Sequence, residues 1–251
     1  MTSGATVGSA FNQAFETLNK SGSRDDYIYR SAITEKILLG RHNLNSATQL
    51  SEVRAGSSKA DLVVLNGTST AYEIKSDRDS LARLNNQIEN YRQVFASVSV
   101  VVSKSHMLNV INSTPDDVGV IALSERYRLQ TVREAKNRPE RTVPSTILET
   151  LRIDEAKEIL RGLQQDVPQA PNTLIRSEIA KIFTSLDPVA VHKEMTKTLK
   201  KSRSQANLSE FIESMPRSLR AASLAANPSA TKMNRIIDAV ETPFLEALTW
   251  K

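Results

Sequence analysis

The 251-residue chain contains no cysteine. Disulfides, thiolate zinc sites and thiol nucleophiles are therefore excluded, and a reducing compartment is compatible with the composition. Histidine is scarce, with only His42, His106 and His192 to serve acid–base or metal chemistry. No run approaches the roughly 18 apolar residues that a membrane span requires. The opening MTSGATVGSAFNQAF lacks the basic and apolar regions of a secretory signal, so the expected location is cytoplasmic and membrane-free. No GxxxxGK stretch is present, which argues against P-loop phosphotransfer.

What the chain does have is ordinary globular material: 39% hydrophobic and 24% charged residues, sufficient to bury a core. Its net charge is +5, mild support for a polyanionic partner. The excess is spread evenly, but two clusters are denser. One runs through Arg126, Arg128, Arg133, Lys136, Arg138 and Arg141; the other holds Lys193, Lys197, Lys200, Lys201 and Arg203. Either suits phosphates, and either suits a solvated face.

Periodicity divides the chain. Residues 1–22 read as a loose Ser/Thr/Gly-rich leader with room for one short helix. Residues 25–40 carry Ile28, Ala32, Ile33, Ile37 and Leu38 near helical spacing, and a polar linker follows. Residues 60–65 and 70–75 are strand-like around an Asn66-Gly67 turn. Residues 79–95 predict a helix with Asp79 at its N-cap and Leu81, Leu84, Ile88, Tyr91 and Phe95 on one face. The run 97–103 is an apolar, β-branched strand, 105–112 a short helix, and 118–123 and 127–133 two more strands. Beyond Pro144 only helices are expected, over 146–163, 172–185, 188–201, 207–226 and 230–249, the last two interrupted by Pro216 and Pro243.

The hairpin DLVVLNGTSTAYEIKSDRD raises the functional question. Glu73 and Lys75 lie two apart on one strand and so share a face. Burying them there is expensive without a purpose. Asp61 shares that face if it pairs with Glu73, which requires a connecting loop with an odd number of residues or a bulge, and the sequence does not fix that register. Two carboxylates beside an amine suit a divalent cation that takes oxygen ligands, with the Lys75 ammonium offsetting charge on a phosphoryl group. Plainer readings stand beside this one. Asp61 can cap a strand edge, Glu73–Lys75 can be an exposed ion pair of small worth, Gln87 can be helix surface and Tyr91 core.

Asp61 followed at a distance by Glu73-Ile74-Lys75, with Gln87 and Tyr91 four apart on the next helix, resembles the core of the PD-(D/E)XK, or restriction-endonuclease-like, nuclease superfamily over residues 25–125. The run YEIKSDRDSLARLNNQIENYRQVF looks closest to an uncharacterised bacterial subfamily of predicted nucleases. Ala60 stands where that pattern has proline. The resemblance implies a restriction-endonuclease-like α/β fold: a mixed central sheet flanked by helices, then an all-helical C-terminal region. It implies a leader at 1–22, a nuclease-like domain at 23–143 and a helical domain at 144–251. It also implies Mg²⁺- or Mn²⁺-dependent phosphodiester hydrolysis, on DNA rather than RNA. The metal ligands would be Asp61, Glu73 and the Ile74 carbonyl, with catalytic Lys75 and Glu35 (Glu52 being a competing acid) and substrate contacts from Gln87, Tyr91 and Arg78. The helical region would bind nucleic acid, a protein partner or a second copy. The rival is a non-cleaving nucleic-acid-binding or protein-interaction module of the same fold, for example in a phage or defence system.

Overall fold

The computed structural model describes residues 4–20, 22 and 24–250; residues 1–3 and 21 of the expected leader and residue 23 lie outside them. At the centre is a mixed six-stranded sheet whose strands lie side by side in chain order. The strands are β1 (Thr48–Ala55), β2 (Ser58–Leu65), β3 (Ser69–Lys75), β4 (Ser97–Val102), β5 (Gly119–Leu123) and β6 (Leu129–Arg133). The β1–β2, β2–β3 and β5–β6 pairs are antiparallel, while β3–β4 and β4–β5 are parallel. The parallel crossovers are made by α4 (Leu84–Arg92) and α5 (Met107–Ser113). The expected α/β sheet flanked by helices, with a helical C-terminal region, is therefore what the chain forms.

Alternation sorts the strand side chains onto two buried faces. On one, Val63, Leu65, Ala71, Val98, Val100 and Val120 meet Leu84, Ile88 and Tyr91 of α4. The same core continues into α6 (Pro144–Thr150), α7 (Ile153–Gly162), α8 (Ile175–Phe183) and α9 (Pro188–Ser202) through Ile147, Ile159, Phe183 and Met195. On the other face, Leu62, Val64, Tyr72, Ile74 and Val101 meet Ile28, Tyr29, Ala32 and Ile33 of α2 (Asp26–Ile33). That core takes in Phe15 of α1 (Val7–Leu18). It also takes in Phe211, Leu224 and Val240 of α10 (Ser209–Ser214), α11 (Arg220–Ala226) and α12 (Ala230–Glu241). Full burial of each such side chain is worth about 1.5–3 kcal/mol. The helices after Pro144 thus cover both sides of the sheet and share their cores with it.

Several elements differ from their sequence reading for local reasons. The expected linker before the hairpin contains β1. Leu50, Val53 and Ala55 all reach one core, but Glu52 between them has φ 53°, so the period of two breaks there. Asp79 does not cap a helix: its carboxylate accepts from the Ser76 amide and hydroxyl, both at 2.7 Å, and α4 starts only at Leu84. The single helix expected over 146–163 is two, because Glu155 turns back to accept from the Arg152 amide at 2.8 Å and starts α7 afresh. After α2 the helix widens into a π-helical turn, Thr34–Leu38, before α3 (Leu39–Arg41).

Candidate polar site at the end of the sheet

The β2–β3 register pairs Leu62 with Tyr72, Val63 with Ala71, Val64 with Thr70 and Leu65 with Ser69. Its continuation sets Asp61 across from Glu73 through a three-residue loop, 66–68. Backbone pairing stops at Leu62–Tyr72, and the Asp61 carboxylate takes over: Oδ2 accepts from the Ile74 amide at 2.8 Å. A backbone donor that would otherwise be orphaned at the splayed strand ends is satisfied in this way.

Glu73 and Lys75 are both buried, at 2% and 7% exposure. Lys75 Nζ donates to Glu73 Oε1 at 2.8 Å and to Gln87 Oε1 at 3.0 Å. Gln87 Nε2 donates to the same Glu73 oxygen at 2.6 Å. The Tyr91 hydroxyl lies 2.6 Å from both Glu73 Oε2 and the Lys59 carbonyl, so one proton serves two acceptors. Burial, then the Glu73 charge, pushes the Tyr91 phenol far above its ordinary range. The Gln87 and Tyr91 spacing of four places both over the end of β3.

Arg30 of α2, which the sequence reading missed, closes the other side. It donates to Asp61 Oδ1 at 3.0 Å, to the Asp61 carbonyl at 2.9 Å and to Glu52 Oε1 at 2.7 Å, and it pairs with Asp26. Burial and the facing Glu73 charge nevertheless raise the Asp61 pKa; the Ile74 amide and Arg30 oppose that shift without cancelling it. The left-handed backbone at Glu52 aims its carboxylate at Arg30, a strain of about 1–3 kcal/mol held by the surroundings. The only advance signal for Arg30 was its i,i+4 relation to Asp26; nothing in the sequence points it at Asp61.

Of the expected site residues, Asp61, Glu73, Lys75, Gln87 and Tyr91 converge. Glu35 does not join them. It pairs instead with Lys36 at 2.6 Å and with Arg217 at 2.8 Å, and these cations pull its pKa down against the effect of burial. Arg78 is exposed on the turn after β3 and makes none of the network's hydrogen bonds. Ile74 meets Asp61 through its amide, not its carbonyl.

The expected Mg²⁺ or Mn²⁺ fits this arrangement poorly. All four carboxylate oxygens of Asp61 and Glu73 already accept hydrogen bonds from protein groups. Arg30 and Lys75 supply the positive charge that an ion would bring, and a cation held there would have to displace them. No group of three or more His, Cys, Asp or Glu able to hold a metal occurs among the described residues. What this network does as arranged is fix the ends of β2, β3 and α4 to one another.

Beside the network, outside the C-terminal ends of the parallel strands, lies a cleft of about 820 Å³. Its walls come from the turns after β3, β4 and β5, and they include Lys104, Arg126 and Arg128. In open α/β sheets this end is where ligands are received. Of the basic cluster at 126–141, Arg133 donates to the Val118 and Ile111 carbonyls and Thr114. Lys136 pairs with Asp116, Arg138 with Glu140 and Arg141 with Asp117. Arg126 and Arg128 alone of that cluster are left for the cleft.

Comparison with known proteins corrects the functional assignment. The family model for Bacteriophage P4 protein cII matches residues 19–226. Protein cII of Enterobacteria phage P4 is 39% identical over 80 residues, 31% of this chain and 30% of that protein; the match thus spans about a third of the relative's length. No solved structure matches the chain. The expected membership of the PD-(D/E)XK nucleases is overturned, and with it the assignment as a nuclease, hydrolase or metal-dependent phosphodiesterase. The side chains that suggested it do meet, but as a hydrogen-bonded network of acids held by Arg30 and Lys75. No helix among the described residues is long and apolar enough to cross a membrane. With most of its length matched by a single family model, the chain belongs to the bacteriophage P4 protein cII family.

Proposed function

We propose that the chain is a non-cleaving nucleic-acid-binding module that meets its partner, DNA in the first instance, with the end of the sheet where β3, β4 and β5 finish. One observation carries this reading. The segments leaving that end, 76–83, 103–106 and 124–128, present Arg78, Arg83, Lys104, Arg126 and Arg128. None of the five pairs with a carboxylate among the described residues. The acids on the same segments are fewer, Asp77, Asp79 and Glu125, with Asp79 turned to Ser76 and Asp77 to the Ser105 hydroxyl at 2.6 Å. A cationic rim on rigid strand ends is the arrangement that follows phosphates by charge and reads no sequence.

The test is fluorescence anisotropy with labelled single- and double-stranded DNA and RNA over a range of salt. Binding is expected to weaken steeply with salt, with a log–log slope of about 0.9 per phosphate contacted on duplex DNA. Substituting Arg78, Arg83, Arg126 and Arg128 by Ala should reduce both the affinity and the slope. The strands should be recovered intact after incubation. Absence of binding at low salt, or binding indifferent to salt, overturns the reading.

A further inference from the structure

The cleft is more than a patch of surface charge, because its positive side is built around a buried cation. Arg24 is 5% exposed. Its Nε donates to the Asn19 carbonyl at 2.9 Å, and its two terminal nitrogens donate to the Ser124 and Glu125 carbonyls at 2.6 Å each. Among the described residues it has no carboxylate partner. A guanidinium this buried is normally matched by a counter-ion. Here its work is to hold the turn after β5 against the end of α1, and that turn places Arg126 and Arg128 on the cleft.

The lining is chemically divided. Arg24, Lys104, Arg126 and Arg128 face two carboxylates, Asp77 and Glu125, leaving an excess of positive charge. The floor carries hydroxyls: Tyr29, 1% exposed, and Ser103, whose Oγ lies 2.8 Å from that of Ser105. Met107, Ala122 and Leu123 supply an apolar wall. The volume falls in the range of small-molecule pockets, about 300–1,000 Å³. Three exposed cations, Lys104, Arg126 and Arg128, gathered on one such cleft are more than the single charge of an internal phosphodiester needs. A phosphomonoester carries about −1.5 to −2 near neutrality and offers three acceptor oxygens.

We infer that this cleft takes a nucleoside phosphomonoester, the phosphorylated end of a nucleic-acid strand, with the phosphate on Lys104, Arg126 and Arg128 and the sugar and base against Met107 and Leu123. The inference rests on the nucleic-acid reading above and adds to it a preference for strand ends.

The experiment uses the full chain and one 20-nucleotide single strand in three forms, with a 5′-phosphate, a 3′-phosphate or two hydroxyl ends. One phosphorylated form is expected to bind at least tenfold more tightly than the hydroxyl form. Arg126→Ala/Arg128→Ala should abolish that ratio, whereas Arg78→Ala/Arg83→Ala should weaken all three forms and keep it. Equal binding of the three forms by the wild type overturns the inference and leaves nucleic-acid binding standing. A ratio that survives loss of Arg126 and Arg128 places the phosphate elsewhere and also overturns it. A free nucleoside monophosphate competing at the strand's own concentration overturns the strand-end assignment in favour of a soluble nucleotide. Failure of every strand to bind removes both readings together.

Discussion

Lys75 Nζ donates to Glu73 Oε1 at 2.8 Å from two positions further along the same strand. The alternation of strand side chains puts both on the face that α4 covers, where neither reaches bulk water. Breaking a buried pair strands one charge and costs about 3–5 kcal/mol, whereas removing both charges costs less. Lys75→Met and Glu73→Gln should each lower the unfolding free energy on that scale. The double variant should lose clearly less than the two losses combined. Urea denaturation of the four proteins measures the coupling, and additive losses would show that the pair does not act as a unit.

Asp61 faces the opposite problem. Burial and the Glu73 charge raise its pKa, so the folded state favours the protonated acid more than the unfolded state does. A group shifted upward contributes stability below its unfolded pKa, near 3.8, and that contribution disappears as pH climbs through the folded value. Asp61→Asn keeps an acceptor for the Ile74 amide and removes the charge. Its stability relative to wild type should therefore improve steadily as pH is raised from 4 to 8. A relative stability that falls over this range would mean that Arg30, not Glu73, governs Asp61.

Gln205 ties the helical region to the edge of the sheet. It is buried, its Oε1 accepts from the Gln49 amide of β1 at 3.0 Å, and its Nε2 donates to the Leu224 carbonyl at 3.2 Å. Edge strands expose unpaired backbone groups that must be covered, and this amide covers one. Gln205→Ala orphans one buried donor, the Gln49 amide, at a cost of about 1–3 kcal/mol, while the Leu224 carbonyl keeps its bond from the Asn227 amide at 3.3 Å. A loss of that size in chemical denaturation is expected, with faster hydrogen exchange at the Gln49 amide. Unchanged exchange there would separate the bond from the stability of the edge.

How much of this was legible depended on whether a signal was local. The hairpin, its Asn66-Gly67 turn and the valine-rich β4 follow from alternation and turn chemistry, but the register that brings Asp61 across from Glu73 was left open by the sequence and came from the structure. Helical spacing put Gln87 and Tyr91 on one helix face, but their bonds to Glu73 were seen only in the structure. What the sequence concealed was non-local or depended on rare backbone. Glu52 leaves the strand region and so disguises β1. Arg30 reaches Asp61 from a helix 31 residues earlier, and Arg24 reaches Ser124 across 100. The functional error has the same root. A spacing pattern records that two acids and an amine can meet, but not that Arg30, Gln87 and Tyr91 will fill their hydrogen-bonding capacity.

Two buried groups on the helical region should make the protein acid-sensitive in separate ranges, His192 where that region meets the sheet and Glu155 within the region itself. His192 of α9 sits with Nε2 2.8 Å from Ser69 Oγ, which in turn accepts from the Ala96 amide at 3.1 Å. That leaves the serine proton for a neutral imidazole nitrogen, and burial holds the His192 pKa down at about 4, against an ordinary 6.5. Burial works against ionisation of Glu155 too, but the Arg203 guanidinium, the Arg152 amide and the Ser202 hydroxyl outweigh it and bring its pKa to about 2, against 4.5. Both pKa values are depressed in the folded state. In each range the unfolded chain therefore binds more protons, and stability falls with falling pH. For His192 the loss runs from about pH 6.5 to 4, and for Glu155 from about 4.5 to 2, each on the order of 3 kcal/mol at 1.36 kcal/mol per pKa unit. Asp61 acts with the opposite sign over part of this span, so each variant is compared with wild type at every pH. His192→Gln should flatten the upper range and leave the lower one, and Glu155→Gln should do the reverse. A His192→Gln protein whose urea midpoint follows wild type from pH 7 to 4 would show that the imidazole is protonated without cost, and that Ser69 and Ala96 do not hold it neutral.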